Sequence, residues 1–404
     1  MSPLFLIFLT VFIDMVGFGI IIPVLPLYAQ HFHATPLQIG WLTGIYSGMQ
    51  IIFTPLLGRL SDRVGRRPVL IVSLAGTAIG FLVMGWASSL TLLFVARIID
   101  GATGGNISTA QAYVADISTP ENRSRSMGLI GAAFGLGFTF GPMIGGIMSR
   151  ISYGAPFYFA AALAAVNVVL LYFILPESLS AEYRSQPHQR TRLAEVFQHG
   201  HARMFGTIVA THFFSITGFA IMTTLFALFT EKHFGFDAHQ TGYVFGFIGI
   251  IVVILQGGLI GRLVRMFGET ALARTGLLLL ALALAALPLV PTVPMLLVVC
   301  AALAIANGLV NPTLNGLASQ MIDRSWQGRA LGLMQSAGSF GRLVGPLLGG
   351  WLLMFDLDKS LTRYARTPFF ASGAILLVAF GLALSFRKPA ADKISAVAGV
   401  EADV

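Results

Sequence analysis

Four ionisable side chains fall inside long apolar runs of this chain: Asp14, Arg97, Asp100 and Arg342. On insertion scales a charge at bilayer depth costs roughly 2.5 kcal/mol or more, so each one calls for a partner or a function. Their formal charges cancel, two against two. Arg97 and Asp100 stand at i and i+3 and share a helix face, so they can pair with each other or face Asp14 across a cavity. A purely structural ion pair is the competing reading. A desolvated carboxylate such as Asp14, close to a cation that can move, is a group able to take up and release a proton. Other polar residues accompany these charges. Asn106 and Gln111 follow Asp100, and Asn307, Asn311 and Asn315 repeat at i, i+4 and i+8 as one polar stripe, which suits a pathway lining and interhelical hydrogen-bond glue equally. Gln50, Thr211, His212 and Gln256 are weaker candidates. Phe213, Phe214, Phe219, Phe245 and Phe247 can line an apolar pocket, although aromatics in such runs more often face lipid or core. No nucleophile, metal cluster or phosphate loop is placed to act, which makes an enzyme the least supported class. His188, His199 and His201 match no trusted ligand spacing and read as solvated loop residues, so no metal site is expected.

The elements that must position these residues are membrane spans. Of 404 residues, 56% are hydrophobic and 10% charged, against roughly 25% charged in an ordinary soluble domain. About 20 apolar residues cross the hydrocarbon, and twelve runs of that kind are read near 4–29, 38–58, 68–87, 90–116, 126–149, 155–175, 203–230, 239–261, 270–290, 293–322, 328–354 and 367–386. The net charge of +8 does not indicate nucleic acid, because the cations sit in short loops where topology explains them. Eighteen lie in the loops and tail on the side containing Arg66 and five on the other, which places the Arg66 side and both termini in the cytoplasm. The lone cysteine, Cys300, excludes a disulfide framework. The first run lacks a basic leader and a cleavage site, and is read as a retained helix.

The chain also repeats itself. Gly137, Gly141, Pro142, Gly145 and Gly146 recur as Gly341, Gly345, Pro346, Gly349 and Gly350, and Arg125, Gly128, Leu129 and Ala133 recur as Arg329, Gly332, Leu333 and Ala337, all at an offset of 204. Two halves follow: a six-helix bundle over 1–175, a cytoplasmic linker over 176–202, a second six-helix bundle over 203–386, and a flexible tail over 387–404. Duplicated halves with glycine-lined, proline-bent spans describe alternating access around a midplane site.

Four arginines lie within the tight basic turn Gly58-Arg59-Leu60-Ser61-Asp62-Arg63-Val64-Gly65-Arg66-Arg67-Pro68, with Asp62 the lone acid. This stretch resembles the signature loop between the second and third helices of the major facilitator superfamily. Arg97-x-x-Asp100-Gly101-x-x-x-Gly105 is similar to that family's fourth-helix motif, whose arginine is associated with proton coupling. With Asp14 to Gly19, Pro23 to Pro26 and Gly135 to Gly146, the chain resembles bacterial drug/proton antiporters, and most of all the tetracycline efflux proteins, over nearly its whole length.

The resemblance implies an all-α, twelve-helix transporter of the bacterial inner membrane, monomeric, needing no cofactor, and exporting lipophilic drugs against protons. Asp14, Arg97 and Asp100 would serve proton coupling. Gly58, Asp62, Arg63, Gly65, Arg66, Arg67 and Asp116 would form a cytoplasmic gate, with Asp62 meeting the start of the eleventh helix in the outward-facing state and Arg63 or Arg67 reaching Asp116. Gln50, Asn106, Gln111, His212, Gln256, Asn307, Asn311, Asn315 and Arg342 would line the substrate cavity. Gly80 stands where tetracycline exporters carry a third-helix acid, and Val252 where they carry a histidine, so neutral or cationic drugs are expected ahead of a metal-tetracycline chelate. The alternative is a proton-coupled uptake symporter for a sugar or organic acid, in which Arg342 would bind a carboxylate; a scaffold or sensor would need a further folded domain.

Overall fold

The computed structural model describes residues 2–119, 122–179, 202–322, 327–357, 360 and 363–386. The linker histidines, most of the 176–202 linker and the 387–404 tail lie outside the described residues. Within them the chain is helical, with no strand. The first half contains α1 (Pro3–His31), α2 (Pro36–Val64), α3 (Arg66–Gly85), α4 (Leu90–Thr103), α5 (Asn106–Ile117), α6 (Arg123–Ser149) and α7 (Ala155–Ile174). The second contains α8 (Ala202–Phe234), α9 (Ala238–Ile254), α10 (Ile260–Phe267), α11 (Glu269–Ala286), α12 (Val293–Gln320), α13 (Gln327–Leu353) and α14 (Arg366–Leu384). Polar caps mark several starts: Thr35 with Gln38 and Asp237 with Gln240 form reciprocal capping boxes, and Pro3 and Pro36 occupy first turns.

Nine described segments are long and apolar enough to cross a membrane. The remaining three positions of the twelve-span reading are taken by α2, by the α4–α5 pair and by α13. Large apolar side chains such as Trp86 (79% exposed) and Phe173 (77% exposed) cover the outside, as a lipid-facing surface requires.

Three expectations are corrected. The fourth span is not one helix, because Gly104 and Gly105 interrupt it between α4 and α5. The basic stretch is not an extended turn: α2 runs through Gly58 to Val64, α3 starts at Arg66, and Gly65 alone, at φ 118°, makes the corner. Gly268, at φ 76°, makes the equivalent corner before α11. The eighth span continues past Gly261 to Phe267, through a single π turn at Leu255–Leu259 that joins α9 to α10.

The repeated glycines explain how the halves are built. A Cβ on Gly141 would stand 2.6 Å from the Val16 carbonyl of α1, and one on Gly345 would stand 2.5 Å from the Thr217 carbonyl of α8. The α6 backbone therefore rests directly on α1, and α13 on α8. Gly137 against Phe12 and Gly341 against Phe213 repeat the relation, so α1 maps onto α8 at an offset of 201. Small residues also close two seams between the halves. Gly40 and Gly44 of α2 lie on Pro346 and Leu343 of α13, and Gly350 lies on Pro36; in the other seam Gly146 of α6 meets Gly242 of α9, and Gly249 meets Thr139.

All these seam contacts are on the side away from Arg66. Towards the Arg66 side, Gly58, Gly128, Gly131, Gly135, Gly257, Gly258, Gly261 and Gly332 have open space where a Cβ would be. The two halves are sealed at one end and parted at the other.

Candidate functional site

Asp14 lies eleven residues beyond the start of α1, roughly 16 Å along its axis at 1.5 Å per residue. It is 7% exposed, and its Oδ1 accepts a 2.7 Å hydrogen bond from Asn106 Nδ2. Asp14 Oδ2 and Asn106 Oδ1 are buried with no hydrogen-bond partner. Asn106 is the first residue of α5, so the Gly104–Gly105 break delivers a helix N-terminus and an amide side chain to the middle of the bundle. Irregular backbone at that depth requires replacement partners, and Gln50 Nε2 donates to the freed Gly104 carbonyl at 3.1 Å.

The choice left open for Arg97 is settled by its neighbours. Arg97 Nη1 donates to Asp100 Oδ2 at 3.0 Å, with both side chains almost wholly buried. Its Nε donates to the Leu42 carbonyl at 3.3 Å, and its Cζ lies 4.5 Å from the Tyr46 ring centroid, a cation–π contact. Asp14 is thus hydrogen-bonded to an amide, and the Arg97 charge is answered by Asp100.

Tyr46, 6% exposed, is the residue that sequence reasoning missed. Its ring carries Arg97, its Oη accepts from Gln50 Nε2 at 2.9 Å, and it feels the charges of Asp14, Asp100 and Arg342. A single tyrosine in an apolar span gives no periodic signal, so only packing reveals it. Gly80 is equally informative: a Cβ there would stand 3.0 Å from Asp100 Cβ and 3.2 Å from the Ala96 carbonyl, so α3 and α4 meet without room for a third-helix side chain.

On the opposite half, Arg342 Nη2 donates to Ser339 Oγ at 3.0 Å, and His212 is 6% exposed with Nδ1 unpartnered. The tenth-span stripe bonds along itself, Asn311 Nδ2 to Asn307 Oδ1 at 3.1 Å, while Asn315 is exposed. Gln111 is exposed on α5, and Gln256 is exposed within the π turn. These three residues are not gathered with the charges. An apolar recess of about 470 Å3 lies between α2, α8 and α13, lined by Ile51, Val209, Phe213, Leu333, Ala337 and Phe340 among others.

At the Arg66 end the polar network differs from the expected one. Arg66 pairs with Asp62 and reaches Asp116 Oδ2 at 3.2 Å, whereas Arg67 Nη2 donates to the Tyr172 carbonyl. Glu177, a residue the sequence did not single out, accepts from the Arg66 and Arg67 backbone amides at 2.9 and 3.2 Å and caps α3. Among the described residues Asp62 has no contact with α13, as expected of a structure parted at this end.

Sequence comparison agrees with this architecture. The Major Facilitator Superfamily description matches residues 7–346 and 257–402. The chain belongs to that superfamily. As a superfamily member it is a multi-pass membrane transporter. It is 31% identical to multidrug resistance protein 2 of Bacillus subtilis (strain 168), over 96% of each chain. It is 33% identical to the class E tetracycline resistance protein of Escherichia coli, over 85% of each. Among solved structures it resembles a human organic anion transporter at TM-score 0.71 and 25% identity, covering 94% of this chain and 98% of the other.

Proposed function

We propose that this facilitator exports small lipophilic organic molecules in exchange for protons, by alternating access between two six-helix bundles. The observation that carries the reading is Asp14. It sits mid-span, held through one oxygen by Asn106, with the other oxygen buried and unpartnered, in a bundle sealed at one end and parted at the other. In the present surroundings a proton on Oδ2 needs no counter-charge. Reopening on the sealed side moves α1 against α5 and α6, and a carboxyl that exchanges one set of surroundings for another binds a proton in one state and gives it up in the next.

The Arg66 side is cytoplasmic on the cation count, so the structure corresponds to an inward-facing state. Arg97 and Asp100 hold α4 beside Asp14 and fix the polar side of the cavity. The Asp62, Arg66, Asp116 and Glu177 network holds the ends of α2, α3 and α5 as one piece, ready to meet the start of α13 when the cytoplasmic end closes. Glycine-to-backbone contacts let both seams close without side chains between them. The printed names of the relatives cover multidrug, tetracycline and organic anion transport, which supports a carrier of amphipathic organic molecules. Transport of a substrate panel by inside-out vesicles under an imposed pH gradient tests the reading, since antiport predicts accumulation that collapses when the gradient is dissipated.

A further inference from the structure

The two halves share their glycine scaffold but not their charges. At the 201 offset Asp14 corresponds to Ser215, and at the 204 offset Arg342 corresponds to Phe138, so the second half carries a cation at this level and no acid. Its described acids, Glu231, Asp237, Glu269 and Asp356, stand at helix ends. Arg342 follows Gly341, which rests on α8 as Gly137 rests on α1, and this places Arg342 at the depth of Asp14. Among the described residues no carboxylate lies within ion-pairing distance of Arg342, in contrast to Arg97 with Asp100.

His212 completes the arrangement. A Cβ on Gly338 would lie 3.1 Å from His212 Nε2 and 3.5 Å from Arg342 Nη1, so the glycine leaves a small gap onto which both nitrogens converge. Just towards the Arg66 side along the same two helices lies the apolar recess bounded by Phe213 and Phe340, whose rings are 5.9 Å apart. A guanidinium fork beside a second nitrogen matches the two oxygens of a carboxylate, and a mid-membrane cation without a partner marks a ligand path.

We infer that Arg342 and His212 form an anion subsite that takes the carboxylate of an amphipathic organic acid, with the apolar body of the molecule lying along the recess between α2, α8 and α13. The inference rests on the transporter reading above and narrows its substrate class from lipophilic molecules to lipophilic acids. It departs from the sequence expectation of neutral or cationic drugs. Outward movement of an anion against inward movement of protons carries charge in one direction, so an interior-negative potential drives both.

The test uses the full chain in proteoliposomes, with dansylaminoundecanoic acid and its uncharged methyl ester as matched probes. Wild type should bind the acid more tightly than the ester. Arg342→Gln should weaken acid binding about thirty-fold and leave ester binding unchanged, Arg342→Lys should keep part of the preference, and His212→Gln should lose a smaller part. Unchanged ester binding shows that the variant is folded. The subsite is overturned if wild type does not prefer the acid, if neither probe binds, or if Arg342→Gln weakens acid and ester alike. Acid preference without gradient-driven accumulation would defeat proton antiport while leaving the subsite standing. Gradient-driven accumulation of the ester without acid preference would defeat the subsite and leave antiport standing.

Discussion

The amide of Asn106 donates a 2.7 Å hydrogen bond to the Asp14 carboxyl across 92 residues of sequence, and it does so from the first residue of a helix that exists only because the fourth span is broken. The bond ties the candidate proton site to the α4–α5 break, so any movement of that break is felt at Asp14.

Asp14→Asn keeps the shape of the side chain and removes its titration. Accumulation driven by a pH gradient should fall to the level of protein-free liposomes, while substrate counterflow continues. Wild-type accumulation by Asp14→Asn would assign coupling elsewhere, with Asp100 the next residue to examine.

Removing one member of the buried Arg97 and Asp100 pair leaves the other charge uncompensated. Arg97→Gln and Asp100→Asn should each destabilise by about 3 to 5 kcal/mol, and the double variant by less than the sum. Thermal unfolding in detergent measures all three. Additive losses would mean that the two residues do not act as a pair.

Gly350 rests on the Pro36 carbonyl in the sealed seam. Gly350→Val puts a branched side chain at that contact and should drive the protein toward states open on the side away from Arg66. Cysteine labelling from each face reads the shift, and an unchanged pattern would show that the seam tolerates separation.

Asp62 pairs with Arg66 in a partly exposed network, where each pair contributes about 0 to 1 kcal/mol. Asp62→Asn should therefore leave folding and insertion intact. Its effect should appear as a larger inward-facing population and slower transport, measured by cytoplasmic labelling and vesicle flux. Unchanged values for both would remove Asp62 from the gate.

Gly80 leaves no space for a third-helix carboxylate, because α4 fills it. Expression in an efflux-deficient host should give no divalent-metal-dependent tetracycline resistance. Robust resistance of that kind would show that the chelate is held by other groups.

Much of the architecture was legible without coordinates, and for physical reasons that are local. Apolar runs long enough to span a bilayer, cations concentrated in the loops of one side and a glycine pattern repeated at 204 residues are properties of composition and spacing. Intramembrane charge is conspicuous for the same reason: Asp14, Arg97, Asp100 and Arg342 stand out because so little else in those runs is ionisable. Pairing was not legible. Whether Arg97 meets Asp14 or Asp100, whether Arg63, Arg66 or Arg67 meets Asp116, and that Glu177 caps α3 all depend on which helix faces which, and helices related by one turn present nearly identical patterns in sequence. The break at Gly104 and Gly105 was hidden because glycines in a span are compatible with a continuous helix as well as with a broken one. Tyr46 gathers Arg97 and Gln50 only once α2 and α4 are packed together. The sequence determined the spans, the duplicated halves and the identities of the buried charges, because these follow from what each residue is. The tertiary structure decided the partners of those charges and which end of the molecule is open, because both depend on distances between helices that are far apart along the chain.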